Sequence, residues 1–81
     1  MNDWTDPRSP TWRGLSFSAR WRCTEAMKHL LAHGSLRRAD IQRIGDVSLP
    51  TASNDLGQIV KRTNAMDYDV RDKCYVLKSR P

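Results

Sequence analysis

The stretch SLPTASNDLGQIVK, residues 48–61, decides how this chain is read. Ser48 suits an N-cap, because its hydroxyl can accept from the first free backbone N–H groups, and Pro50 fits the first turn, where a missing N–H does no harm. Advancing about 100° per residue, Leu49, Ala52, Leu56, Ile59 and Val60 gather within one quadrant, a core-facing stripe that predicts a helix over about 49–62. The opposite side holds Pro50, Thr51, Asn54, Gly57, Gln58 and Lys61, with no large apolar residue and one charge. Short hydroxyls and amides on an outer helix face are the groups that meet base edges and phosphates in a DNA groove, and a glycine beside them lets the backbone approach.

Working towards the N-terminus, Gly45-Asp-Val-Ser48 reads as a tight turn with Val47 as an apolar plug. Before it, apolar positions 39, 41 and 44 predict a two-turn helix over 38–44, ended by Gly45. Ser35–Leu36 is a short apolar link. A first helix is predicted over 19–33, capped by Ser18 and stopped by Gly34. Its apolar stripe is Cys23, Met27, Leu30 and Leu31, with Ala26 flanking, and Arg20, Lys28 and His29 lie on the polar side.

Working towards the C-terminus, the period changes to two. Met66, Tyr68 and Val70 alternate with Asp67 and Asp69, and CYVL at 74–77 is rich in strand formers. A β-hairpin is expected, with Tyr68 and Tyr75 in its core, Arg71-Asp-Lys73 as a basic tip, and Lys78 and Arg80 following. Three helices, the last two joined by a glycine turn, then a hairpin, is the order of a winged helix-turn-helix. The fold expected for 18–81 is therefore mostly α with a C-terminal β-hairpin as the wing.

Residues 1–17 are punctuated by Pro7, Pro10 and Gly14 and predict an extended arm. Trp4, Trp12, Leu15 and Phe17 are too apolar for a solvated tail, so the arm should pack on its own domain or on a second subunit. If the chain is a homodimer, Trp4, Trp12, Phe17 and Trp21 are its candidate contacts.

Eighty-one residues leave room for one small domain and exclude most enzyme folds. The net charge of +5 is concentrated in residues 18–81, which carry twelve basic and seven acidic side chains, while the charges of the arm cancel. That balance favours a polyanionic partner. Apolar runs fall short of the roughly 18 residues of a membrane span, and the acidic, Trp-bearing start resembles no signal peptide, so the expectation is cytoplasmic with no membrane contact. Cys23 and Cys74 lack CxxC spacing and read as reduced, buried thiols. His29 and His33 share a helical face, yet no third ligand or HExxH pattern accompanies them. No catalytic residue, metal, cofactor or small-molecule ligand is expected, and the chain is not read as an enzyme.

For duplex DNA, Thr51, Asn54 and Gln58 are the candidate base readers. Candidates for phosphate are Arg37 and Arg38 before and on the second helix, with Arg43 nearby. They are joined by Ser48 and Ser53 at the start of the third helix, Lys61 near its end, and Arg71 and Lys73 on the hairpin tip.

The segment GSLRRADIQRIGDVSLPTASNDLGQIVKRT (34–63), with YDVRDKCYV (68–76), resembles the N-terminal winged-helix domain of WYL-domain repressors of the BrxR and CapW type, bacterial regulators of phage-defence operons. In those proteins a G-x-I/L-x-R-x-D-L/I start precedes an S-x-P-x-A-S-x-D-L helix. Here Arg38 and Asp40 match the first, and Ser48, Pro50, Ala52, Ser53, Asp55 and Leu56 the second. The hairpin pattern is matched by Tyr68, Asp69, Lys73, Tyr75 and Val76. About half the chain is covered. The family continues into a ligand-sensing WYL domain and a dimerisation region, so the expectation here is the winged helix standing alone, dimerising through its arm and first helix.

The resulting expectation is a homodimeric bacterial or mobile-element regulator. It binds an operator, an inverted repeat in double-stranded DNA, and represses by occluding a promoter. The alternative is a winged-helix module that docks another protein without specific DNA binding. Structured RNA is a third partner class, disfavoured by the lack of an aromatic stacking platform.

Overall fold

The computed structural model describes residues 4–78 and has three helices and a small antiparallel sheet. A 3-10 helix, Pro10–Trp12, precedes α1 (Phe17–His33), β1 (Ser35–Leu36), α2 (Arg38–Gly45), α3 (Leu49–Thr63), β2 (Met66–Asp69) and β3 (Cys74–Leu77). Arg80, expected to extend the basic tail, lies outside the described residues.

Capping explains most boundaries. α1 begins two residues earlier than predicted because Ser16, not Ser18, takes the N-cap and its Oγ accepts from the Ala19 N–H at 3.2 Å. It ends at Gly34, whose φ of 83° is open to glycine. α2 starts with the Asp40 carboxylate accepting from the Arg37 N–H at 2.8 Å, half of a capping box. Asp46, rather than Gly45, adopts the left-handed conformation that ends α2, so Gly45 is its last helical residue. α3 ends at Asn64, also left-handed.

The C-terminal strands form more than the two-stranded hairpin expected. β2 and β3 pair antiparallel across residues 70–73, and β1, read from sequence as a mere link, pairs with the other edge of β3. The strand order is β1-β3-β2. Leu36, Tyr75 and Tyr68 thereby fall in one cross-strand row.

The core lies between the three helices and the sheet. Met27 and Leu30 of α1, Leu36 of β1, Ile41 of α2 and Ile59 of α3 are fully buried, with Leu56 and Met66 nearly so. Three apolar residues read as inward-facing on helices miss it: Ala39 is exposed, and Leu31 and Leu49 are 44% and 48% exposed.

Residues 4–16 are not an extended arm. They turn back and insert Trp12 into the chain's own core, where it is fully buried and its Nε1 donates to the Trp4 carbonyl at 3.1 Å. Arg62 of α3 donates to the carbonyls of Thr11 and Arg13, and Arg20 Nε donates to that of Leu15. Trp12 therefore has no free surface to offer a second subunit, and Trp4 packs partly buried beside the core. Phe17 and Trp21, on the first turns of α1, are exposed and remain open to such a contact. Among the described residues, no helix is long and apolar enough to cross a membrane.

Candidate nucleic-acid interface

Thr51, Asn54, Gln58 and Lys61 follow one another at three- and four-residue steps along α3 and so share its outer face. Asn54 and Lys61 are exposed, and Thr51 and Gln58 half-buried. Their hydrogen-bonding capacity differs. The Asn54 amide is unengaged among the described residues, whereas the Gln58 side-chain oxygen accepts from Arg62 Nε at 2.8 Å, leaving its amide N–H groups and one oxygen lone pair for a ligand. Thr51 Oγ1 accepts from Ser48 Oγ at 3.2 Å.

Ser48 holds the N-cap position of α3 but makes no side-chain cap bond. The hydroxyl expected to cap the helix is turned to Thr51 instead. The first turn of α3 is thus left without a side-chain cap from Ser48.

A groove of about 330 Å³ runs between α3, the start of α2 and the β2–β3 sheet. Arg37, Arg38, Ser53 and Lys73, all expected to meet phosphate, line it together. Arg38 Nη1 donates to Ser53 Oγ at 3.5 Å, linking α2 to α3. Among the described residues, no carboxylate lines the groove. Gly57 also borders it, and a Cβ placed there would meet nothing within 4 Å.

Arg71 is placed elsewhere. It borders a different, shallower depression, beside Asp69 and Asp72, and Asp69 Oδ1 accepts from the Arg71 and Asp72 N–H groups. The turn is not the basic tip expected from Arg71 and Lys73 alone, because these two carboxylates share it. Arg43 is likewise engaged: its guanidinium donates to Asp40 at 2.8 Å, and His29 lies 3.4 Å from the same carboxylate. Burial works against the Asp40 charge, but the Arg37 N–H, the Arg43 guanidinium and the His29 ring together hold its pKa below the usual carboxylate value.

Three features are not apparent from the sequence pattern. Tyr68, assigned to the hairpin core, is 51% exposed and lines the groove beside half-buried Tyr75, their rings edge to face at 5.1 Å. Its place on an edge strand is invisible to a period of two. Arg62, read as an ordinary end-of-helix charge, ties residues 11–13 to α3. Asp55 lies on the inner side of α3, 2% exposed, in an ion pair with Arg22. A carboxylate at a core-facing position of a helix is the signal for this one.

The cysteines are free and buried. Burial, reinforced by the Asp55 carboxylate, pushes the Cys23 thiol up to about 12, which keeps it neutral and a poor nucleophile. His29 and His33 lie with ring centroids 4.4 Å apart, and no group of three or more metal-ligating side chains occurs among the described residues. Comparison of the chain with protein families, with curated proteins and with solved structures finds no match.

Proposed function

We propose that this chain is a winged helix-turn-helix that binds specific sequences in double-stranded DNA and regulates transcription, as a homodimer that represses by occluding a promoter. One observation carries the reading: Arg37, Arg38, Ser53 and Lys73, drawn from three separate parts of the chain, converge on one groove alongside the polar outer face of α3, with no carboxylate in its lining among the described residues. Such an arrangement suits a duplex, whose backbone lies over the cations while Asn54 and its neighbours reach base edges. The resemblance to the DNA-binding domain of WYL-domain repressors agrees with it and adds the expectation of an inverted-repeat operator.

Exposed Phe17 and Trp21 favour a second reading, docking of another protein through α1, which is the surface the homodimer would use. Selection from a random duplex pool, followed by affinity at low and physiological salt, separates the two. The DNA reading expects an enriched inverted repeat bound at least about a thousandfold more tightly than a scrambled control. No enrichment, with binding that fades equally for every duplex as salt rises, leaves only electrostatic adhesion and rejects it.

A further inference from the structure

We infer that the groove between α3 and the sheet is a binding site for a mononucleotide-sized aromatic phosphate, which competes with DNA for the same cations. Only the competition rests on the function proposed above; the site itself does not. It departs from the expectation drawn from the sequence, in which no small-molecule ligand figures.

The groove has more than a sugar–phosphate backbone needs. Backbone phosphates require cations at a rim, and Arg37, Arg38 and Lys73 provide them. They require neither an apolar floor nor an aromatic wall. Here the floor is Leu36, Leu56 and Cys74, each no more than 6% exposed, and the wall is Tyr68. Tyr75 abuts the Tyr68 ring at an interplanar angle of 65°, which steadies it, and Tyr68 is 51% exposed, bordering both this groove and the depression beside Arg71. Across the groove Gly57 projects no side chain, so the slot is unobstructed on the α3 side.

Size and chemistry agree. About 330 Å³ falls in the range of small-ligand sites, roughly 300–1,000 Å³. A nucleobase stacked on Tyr68 would leave its phosphate to the three cations, with Ser53 Oγ as an added hydrogen-bonding group beside Arg38. A duplex seated on those cations would cover the groove, so the small ligand and DNA would exclude one another.

Calorimetric titration of the full chain, without DNA, with AMP, adenosine and ribose 5-phosphate tests the site. AMP is expected to bind at least about tenfold more tightly than either fragment, since stacking and phosphate contact both contribute. Tyr68→Ala should weaken AMP by about tenfold and leave ribose 5-phosphate unchanged, whereas Lys73→Gln should weaken both phosphates. Both side chains are exposed, so folding should survive, and circular dichroism checks it. No binding at millimolar AMP, or AMP and ribose 5-phosphate binding alike, overturns the inference. In a second arm AMP should displace duplex from the wild type, and about tenfold more AMP should be needed to displace it from Tyr68→Ala. Simultaneous binding of AMP and duplex overturns the competition. Duplex binding without AMP binding rejects this site alone, and AMP binding without duplex binding rejects the DNA reading while the site stands.

Discussion

The guanidinium of Arg22 in α1 donates from Nε and Nη2 to both carboxylate oxygens of Asp55 in α3. With Arg22 at 15% and Asp55 at 2% side-chain exposure, this is a charge pair taken largely out of water. The fork-like geometry fixes distance and rotation together, so it sets how α3 lies against α1 and hence which residues of α3 face outward. The pair also raises the Arg22 pKa, chiefly through the hydrogen bond to Asp55, so the guanidinium stays charged at any working pH.

Removing one partner should therefore be costly, because the other charge stays buried. Asp55→Ala is expected to lower unfolding free energy by about 3 kcal/mol in urea denaturation, and the double replacement Arg22→Met with Asp55→Leu to recover most of that loss. A cost below about 1 kcal/mol for the single change would mean that the pair contributes little to stability.

Gly45 is required by that same arginine. A Cβ there would collide with Cδ and Cγ of Arg22, the middle of a side chain whose head is held by Asp55. Gly45→Ala should cost about 1–3 kcal/mol. In an Arg22→Ala background, where the obstacle is gone, the same change should be neutral or mildly stabilising. A double-mutant cycle showing simple additivity would disprove the steric account.

Gly57 makes the opposite case. It lies within α3 with open space where a Cβ would be, so Gly57→Ala should stabilise the protein by about 1 kcal/mol through helix propensity alone. If duplex DNA approaches the α3 backbone here, the same variant should bind its operator less well despite its greater stability. Thermal denaturation and affinity measured on one preparation reveal both signs.

Lys73 and Arg71, two residues apart, should behave differently on DNA. Lys73 shares the groove with Arg37 and Arg38, while Arg71 is flanked by Asp69 and Asp72. Lys73→Ala should weaken all duplexes alike and reduce the slope of log affinity against log salt by about 1, and Arg71→Ala should change it little. Asn54→Ala should instead cost about 1–3 kcal/mol on the operator and nothing on random duplex. Equal losses on both would place Asn54 on the backbone rather than on a base.

Asp40 gives the start of α2 an acid dependence. Its pKa is lowered on folding from an ordinary value of 3.8, so its contribution is complete above that value and disappears as pH falls through the lower folded one. Stability of the wild type should decline over this range more steeply than that of Asp40→Asn, which lacks the titrating group. Parallel curves for the two proteins between neutral pH and about pH 2 would exclude the linkage.

Several elements are legible in the sequence because their causes are local. The helix predicted at 49–62 is found at Leu49–Thr63, since Pro50 and an apolar stripe of period 3.6 specify first turn and buried face within one segment, although the Ser48 hydroxyl does not make the cap bond expected of it. The strands around Met66–Asp69 and Cys74–Leu77 follow from alternation and β-branched or aromatic residues in the same way. Periodicity reports which side of a helix faces inward, but not where the core stops along it. Leu31 and Leu49 lie near the end of α1 and at the start of α3, and they are exposed despite having the right phase.

By itself, then, the sequence determined the order and approximate limits of the three α-helices and of the two C-terminal strands, the polar outer face of α3, and the excess of positive charge, but not the 3-10 helix at Pro10–Trp12. Only the tertiary structure decided that Ser35–Leu36 is a strand, that Trp12 fills the chain's own core, that Asp55 is paired with Arg22, and that Arg37, Arg38, Ser53 and Lys73 line one groove while Arg71 borders another depression. The division follows the range of the forces. Backbone propensity, capping and amphipathic period act over a few neighbouring residues, whereas pairing, burial and the gathering of charges depend on segments brought together only when the chain closes on its core.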